Sequence, residues 1–447
     1  MTQAVAKTNF WKYLIETSKK SSYLVVIGII TALYMTISSV FANTMPLKEL
    51  TYFNAMFSLA YFSSIIGFGI AGGVAIYINQ NYKNKDVVAN YNRYGLFLTV
   101  ILAAIFVILI VLFKEVIFDY IFNIDVAGDY TFFYLMCAYI FLNCINRYFM
   151  HTLKNMKEFK AQLLQIAIYS TLIVVALLIL NFMGGIYLNL VGFIYVGVSI
   201  LSVILFYFIF LKNKNYGINL LVFKKLKFTY KEFSTIMYMA FSEIIWQIGY
   251  MFTAMFLLKV SEIYFNAYSY YENVLDFFNT LYFSFIVITS IDITRALGEN
   301  KKDEAYMHGK YSIYFSIFIW VVYALCSLAL IVPINSGINI DVRPIATIAM
   351  ILYVSTHLFR FIVWNLSSYV IIWGGKVKTV FWLEFLSAIY YVLIFVFADY
   401  FPSSIYWAFF FISLDNIIKT PIYLIMFKNK KWLVNLTAPN PNPELNT

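Results

Sequence analysis

Charged side chains within long apolar stretches are the residues of this chain best suited to chemistry. A charge placed in such a stretch costs about 3 kcal/mol on membrane-insertion scales, so it usually faces the protein interior and has a function. We find none in the middle of an apolar stretch in the first half of the chain. The second half holds Glu243, Glu272, Asp276, Arg360, Glu384, Asp415 and Lys419. Groups of this kind bind and release a cation or a charged substrate.

Glu272 and Asp276 are four residues apart, and Asn279 follows three residues later, so all three share one helical face. At about 1.5 Å per residue, Asp276 lies roughly 15 Å deep in a membrane. Two carboxylates this close in a low dielectric do not both stay ionised unless a cation joins them. The pair predicts a coupling site for Na⁺ or H⁺, and no other metal site. The alternative is that Glu272 is hydrated near the outer headgroups.

The other intramembrane charges have two interpretations each. Glu243 shares a helical face with Gln247 and is predicted either to couple a cation or to form half of a buried ion pair. Arg360 suits a substrate phosphate or carboxylate, held bidentately, or a structural ion pair with Glu384. Asp415 and Lys419 are spaced to neutralise each other on one helix. The predicted substrate cavity contains Gln247, Asn273, Asn279, His357, Arg360 and Trp364.

The composition indicates that the elements holding these residues are transmembrane helices. The 447 residues are 62% hydrophobic and 12% charged, with a mean hydropathy of +0.78. A soluble domain is about 25% charged, and about 20 apolar residues cross the ~30 Å hydrocarbon core. We predict an all-α polytopic membrane protein with about twelve spans and no removed leader. The spans are roughly 22–44, 52–79, 92–113, 129–150, 161–182, 186–211, 234–258, 265–290, 310–332, 343–372, 379–398 and 403–427.

The basic residues give an orientation. With the N-terminus inside, 26 of the 32 lysines and arginines fall in cytoplasmic segments and four fall outside. This bias follows the positive-inside rule and predicts a multi-pass protein of the cell (inner, cytoplasmic) membrane with both termini cytoplasmic. The net charge of +10 is then explained by loops that face lipid headgroups, and no nucleic-acid partner is expected. We expect a monomer.

The chain divides into two similar halves. The predicted domains are a six-helix bundle at 1–211, a basic linker at 212–233, a second bundle at 234–430 and a cytoplasmic tail at 431–447. Phe53-Asn54-Ala55 recurs as Phe265-Asn266-Ala267, 212 residues later, at the same point of the topology. Two bundles of six spans insert the same way up, so a pseudo-twofold axis along the membrane normal and a cavity are expected. This arrangement predicts alternating access.

The sequence carries no motif that predicts an enzyme. It contains no phosphate-binding loop, HExxH or paired CxxC, and its three histidines are far apart. The glycines between Gly67 and Gly73 lie in an apolar span, where close helix packing explains them. We therefore expect no cofactor, and energy from an ion gradient.

Several short motifs resemble one transporter family. The run from Ala296 to Ala305, ALGENKKDEA, resembles the cytoplasmic loop after the eighth helix of multidrug and toxic compound extrusion (MATE) transporters. Gly67-Phe68-Gly69 with Gly72-Gly73 resembles the end of that family's second helix, and Gly374–Thr379 resembles its loop after helix ten. The resemblance implies twelve helices in two lobes and export of a small amphipathic or cationic compound driven by Na⁺ or H⁺.

The chain departs from the family where some members carry coupling acids. The first span offers Ser38, Ser39 and Asn43, and Ile362 stands near an aspartate position of helix ten. These departures keep a second function open, a flippase of lipid-linked oligosaccharide or polysaccharide precursors from the same superfamily. In that case Arg360 and Lys419 would bind a pyrophosphate.

Overall fold

The computed structural model describes residues 10–42, 44–117, 130–183, 187–212, 229–336 and 343–437, and these contain no β-strand. Within the helices, the side chains of 39, 42, 47, 210–212, 266, 269–277, 330–336 and 346 are outside this description. The helices are α1 Phe10–Ala42, α2 Leu47–Gln80, α3 Lys85–Leu112, the short α4 Lys114–Val116, α5 Thr131–Asn155, α6 Phe159–Phe182, α7 Leu188–Lys212, α8 Tyr230–Val260, α9 Glu262–Gly298, α10 Lys302–Ser336, α11 Arg343–Trp364, α12 Val377–Val396 and α13 Ile405–Lys428.

Each predicted span corresponds to one long helix, so the all-α membrane fold is confirmed. Among the described residues, eleven helices are long and apolar enough to cross a membrane. The twelfth long helix, α5, is more polar because it carries Asn143, Asn146, Arg147 and His151. The helices also extend beyond the predicted spans: α1 begins at Phe10 and α10 at Lys302. Apolar runs mark only the part of a helix that lies in lipid, so such extensions are invisible to hydropathy.

The chain forms two compact units. The first unit is Tyr23–Glu243, and the second unit is residues 10–22 with 244–437. The boundaries therefore fall inside α1 and α8 and differ from the predicted limits at 211 and 234. Packing explains the first boundary, because the Tyr13 hydroxyl is hydrogen-bonded to the Thr289 hydroxyl of α9 at 2.7 Å. Most of the basic linker, 213–228, lies outside the described residues.

Five long helices of each unit pack in the same order. In the first unit α2 packs on α3 and α5, α3 on α5, and α7 on both α5 and α6. In the second unit α9 packs on α10 and α11, α10 on α11, and α13 on both α11 and α12. Thus α5 corresponds to α11, α6 to α12, and α7 to α13. This common packing order is what a duplicated six-helix bundle produces.

The glycines of α2 let neighbouring helices approach closely, as the sequence indicates. A Cβ atom on Gly67 would lie 2.1 Å from the carbonyl oxygen of Cys144 on α5. A Cβ atom on Gly69 would lie 2.6 Å from the Cα atom of Ala240 on α8. Only glycine allows these contacts, so the motif positions helices and does not bind phosphate.

Two features complete the second unit. A π-helical segment, Asn365–Ile371, follows α11 directly, and the Asn365 amide donates to the hydroxyl groups of Ser312 and Ser316 on α10, both at 3.0 Å. After α13, the buried Trp432 donates its indole N–H to the carbonyl of Phe427 at 3.0 Å. Residues 432 and 433 are therefore packed within the segment 431–447 that is predicted as the tail, and residues 438–447 lie outside the description.

Candidate functional site

A polar cavity in the second unit brings together charged residues from three helices. It has an empty volume of about 790 Å³ and is lined by α8, α9, α11, α12 and α13 with the π-helical segment. Its charged lining residues are Arg360 on α11, Glu384 on α12, and Asp415 and Lys419 on α13. Aromatic side chains surround them: Trp246, Tyr250, Tyr268, Tyr353, Trp364 and Tyr391. An aromatic lining with a few charged groups suits a small organic molecule.

Two carboxylates share one ammonium in the wall of this cavity. Lys419 Nζ lies 3.0 Å from Glu384 Oε2 and 3.0 Å from Asp415 Oδ2. The second oxygen of each carboxylate accepts a hydroxyl: Glu384 Oε1 from Tyr423 at 3.0 Å, and Asp415 Oδ1 from Ser387 at 2.7 Å. We call Glu384, Asp415 and Lys419 the Lys419 triad. Because its three side chains are about nine-tenths buried, their charges are only weakly screened by solvent.

The Lys419 triad can accept a cation. With both acids ionised and the lysine protonated, the triad has one negative charge more than positive. One proton or one Na⁺ would make it neutral and would compete with Lys419 for carboxylate oxygen. The spacing of Asp415 and Lys419 indicated this pair from the sequence. Glu384 was instead matched with Arg360, and the structure places it on Lys419.

Arg360 lies in the cavity with two other residues predicted to share its face. Its guanidinium lies 4.3 Å from the ring centroid of Trp364 and is hydrogen-bonded to the Tyr353 hydroxyl. His357 is buried, and its Nε2 has no hydrogen-bond partner within the described residues. A guanidinium held against aromatic rings keeps a fixed orientation, which suits recognition of a planar or anionic group.

The remaining predicted site residues lie elsewhere or outside the description. Glu243 is half-buried in the first unit, within electrostatic range of Lys154 on α5. Gln247 and Asn279 are not among the described residues that line the cavity. The side chains of Glu272, Asn273 and Asp276 on α9 lie outside the described residues. Among the described residues, no group of three His, Cys, Asp or Glu side chains is placed to hold a metal ion.

The first unit has its own, smaller cavity. It has an empty volume of about 390 Å³ and is lined by α1, α5, α6 and α7. Its charged lining residue is Arg147 on α5, and its polar residues are Thr31, Asn143, Asn146, Gln165 and Ser202. None of its described lining residues is acidic. The helices correspond to those around the larger cavity, since α5 matches α11, α6 matches α12 and α7 matches α13.

Arg147 was missed as a site residue by the sequence analysis. Arg147 lies only three residues before the end of the predicted span 129–150, and it was interpreted as one of the cytoplasmic basic residues. Because α5 continues to Asn155, Arg147 lies about 12 Å from the end of its helix. A usable signal was present: Arg147 precedes Arg360 by 213 residues, which nearly equals the offset between the two Phe-Asn-Ala motifs.

Comparison with known proteins identifies the fold. Residues 24–180 match the MatE family model, and no curated protein matches the sequence. An outward-facing multidrug resistance MATE family transporter of the MOP superfamily aligns with a TM-score of 0.75 at 13% identity, over 93% of this chain and 95% of that one. A MATE protein in complex with MaD3S aligns with a TM-score of 0.76 at 13% identity, over 93% and 97%.

A third structure has the same fold and a different pocket. It is a MOP superfamily transporter from Pyrococcus furiosus, described as having a binding pocket of reverse polarity that suggests a different function. It aligns with a TM-score of 0.74 at 13% identity, over 93% of this chain and 95% of that one. The resemblance seen in the sequence is confirmed: residues 24–180 match the MatE family model, and the chain has the twelve-helix fold of MATE family transporters.

Proposed function

We propose that this protein is a secondary active exporter that couples efflux of a small amphipathic or cationic organic compound to influx of Na⁺ or H⁺. One observation carries the proposal: the cavity of the second unit contains two carboxylates that share a single ammonium. A transporter needs a group whose interactions change when the coupling ion binds, and the Lys419 triad is such a group. The MATE fold supports the same conclusion.

Coupling would work through competition for carboxylate oxygen. A proton or Na⁺ that binds Glu384 or Asp415 weakens the hold of that carboxylate on Lys419 and makes the cavity wall more positive. A cationic or amphipathic substrate in the cavity is then bound less tightly, since its electrostatic stabilisation has decreased. The ion thus drives substrate release on one side of the membrane, and the cavity returns to the other side by alternating access.

The lining of the cavity supports the proposed substrate class. Its aromatic rings offer an apolar surface and negative ring faces, which attract organic cations and pack against amphipathic molecules. The hydroxyl groups of Thr356 and Ser413 lie 2.9 Å apart in the same wall. They add donors and acceptors that fix orientation.

A second coupling location remains a prediction. Glu272 and Asp276 share one face of α9 by their spacing, together with Glu243 on α8 as a further candidate. The coupling site is therefore assigned by comparing two sets of variants. One set is Glu384→Gln and Asp415→Asn, and the other is Glu272→Gln, Asp276→Asn and Glu243→Gln.

The test is transport by the purified protein in proteoliposomes. Ethidium and a panel of other organic cations are loaded under imposed pH or Na⁺ gradients. We expect the gradient to drive the organic cations across the membrane in the parent protein. This transport should be lost in Glu384→Gln and Asp415→Asn. Asp303→Asn is the control, because Asp303 is exposed at the start of α10. Loss of transport only in the α9 or α8 variants would instead assign the coupling site to those helices. Transport that is the same with and without every gradient would contradict coupled export.

A flippase of lipid-linked oligosaccharide precursors is the second candidate function. The observation in its favour is that each cavity is lined by an arginine, Arg147 or Arg360, and arginine binds phosphate bidentately. The test uses the same proteoliposomes and measures whether a fluorescent lipid-linked sugar pyrophosphate moves from one leaflet to the other. Sugar translocation without any ion gradient, together with no movement of organic cations, would favour the flippase.

A further inference from the structure

The cavity of the first unit holds a positive charge, and no acidic residue is among its described lining residues. Arg147 is half-buried and lines this cavity with neutral residues. It forms no hydrogen bond or ion pair with any residue that the structure describes. An arginine in the membrane-embedded part of a protein is costly unless an anion or several acceptors satisfy it. None of the described residues that line the cavity supplies that anion.

The cavity of the second unit differs in having acidic residues on the corresponding helices. It is lined by Arg360 and also by Glu384 on α12 and Asp415 on α13, which share Lys419. In the first unit, the corresponding helices α6 and α7 line the cavity with Gln165 and Ser202, which hydrogen-bond to each other. The first unit therefore has an arginine like the second unit, but its corresponding helices α6 and α7 line the cavity with neutral residues instead of acids. The two cavities therefore differ in net charge.

Further groups in the first cavity are free to bind a ligand. The hydroxyl group of Tyr34 on α1 has no hydrogen-bond partner in the described part of the chain, and its ring packs edge-on against Tyr169. Asn146 donates to the carbonyl of Ser199 at 3.3 Å, and its buried Oδ1 is left without a donor among described residues. Arg147 and Tyr34 supply donors to an anion, and Asn146 supplies an acceptor to a polar group beside it.

We infer that the cavity of the first unit binds the anionic head of an amphipathic molecule, a phosphate or a carboxylate, through Arg147 and Tyr34. The apolar part of the ligand would lie against Tyr169 and Phe206. The anion comes from a phospholipid of the surrounding leaflet or from a soluble organic acid. This inference does not depend on cation-coupled export, because binding is measured without transport.

The test uses octyl phosphate as the probe and octanol as its neutral match. Binding to the purified full-length protein in a neutral detergent is measured by titration calorimetry. We expect Arg147→Gln to weaken octyl phosphate binding about tenfold or more, the usual scale for a lost charged hydrogen bond. Tyr34→Phe should weaken it a few-fold. Arg147→Lys should be intermediate, since it keeps the charge and loses the bidentate geometry.

Lys160→Gln is the matched control, because it removes one positive charge from an exposed position at the start of α6. It should bind octyl phosphate like the parent, and octanol should not distinguish any of the variants. Equal octyl phosphate affinity in the parent, Arg147→Gln and Tyr34→Phe would overturn the inference. If Arg147→Gln does not fold, Tyr34→Phe and Arg147→Lys are compared with the parent instead, and equal affinity in all three would also overturn the inference.

A second measurement separates the two sources of the anion. The protein is extracted from bilayers of phosphatidylcholine and phosphatidylglycerol and examined by native mass spectrometry. Retained phosphatidylglycerol that is lost in Arg147→Gln identifies a lipid headgroup as the ligand. If no phosphatidylglycerol is retained and octyl phosphate still requires Arg147, the ligand is a soluble anion.

Discussion

At the scale of the residue, the Lys419 triad dominates the second unit. Replacing one member of a buried ion pair costs more than the pair contributes, since the remaining charge stays buried without compensation. Here one lysine serves two acids from different helices. The triad therefore links α12 to α13, and in the proposed mechanism it is the group that responds to a cation.

We predict that Lys419→Met destabilises the protein by about 3–5 kcal/mol, because it leaves Glu384 and Asp415 buried without an ammonium. Thermal unfolding in detergent measures the effect. Lys428→Met is the control, since Lys428 is exposed at the end of the same helix. Adding Glu384→Gln and Asp415→Asn to Lys419→Met should recover much of the loss. Equal stability of the two single lysine variants would contradict the assignment.

Spacing along one helix predicted part of this site and could not predict the rest. Asp415 and Lys419 were found because residues four apart on a helix face each other. The contact of Glu384 with Lys419 joins two helices, and sequence spacing does not give their relative rotation, so the sequence could not choose the partner of Glu384. Arg147 was not identified because it lies near the end of a polar helix, where a basic residue also fits the positive-inside rule.

At the scale of the element, helix packing depends on a few small side chains. Gly67→Ala should destabilise the first unit by about 1–3 kcal/mol through overpacking, since its Cβ atom would clash with the backbone of α5. Gly197→Ala is the matched control on α7, because nothing lies within 4 Å of a Cβ atom there. It should be neutral or stabilising by up to about 1 kcal/mol. Thermal unfolding measures the stability of both variants. Equal changes in stability for Gly67→Ala and Gly197→Ala would contradict close packing at Gly67.

The segment after α13 is a second structural element that the sequence analysis did not identify. Trp432 is 1% exposed, and its side chain fills the space beside Gly374. We predict that Trp432→Ala costs about 3–5 kcal/mol through the cavity that it leaves. Trp407→Ala, at a position 47% exposed, should cost far less. Similar melting temperatures for both variants would show that the segment does not stabilise the second unit.

The number and order of the helices were accessible from the sequence, because apolar length and basic loops are strong signals. The limits of the two compact units were not accessible from the sequence, since α1 and α8 each contribute residues to both units. A boundary inside a continuous helix produces no change in composition. The packed residues 432 and 433 lie in the predicted tail because an apolar run of three residues, 432–434, is too short to predict a transmembrane helix.

At the scale of the whole molecule, the charge distribution predicts the orientation. Single cysteines that replace Lys83 or Lys302 should react with a membrane-impermeant maleimide only after the cells are permeabilised. Cysteines at Thr44 and Ser403 should react in intact cells. The background replaces Cys137, Cys144 and Cys326, which are free thiols, by alanine. The opposite labelling pattern would place both termini outside and overturn the positive-inside assignment.

The central claim is that the second unit's cavity couples an ion to transport through the Lys419 triad. The most direct test compares two activities in the same proteoliposomes: accumulation of a substrate driven by a pH or Na⁺ gradient, and its gradient-independent exchange across the membrane. We predict that Asp415→Asn abolishes accumulation and retains exchange, because it removes an ion-responsive carboxylate while leaving most of the cavity intact. Accumulation that persists, or exchange that is lost in parallel with it, would contradict the claim.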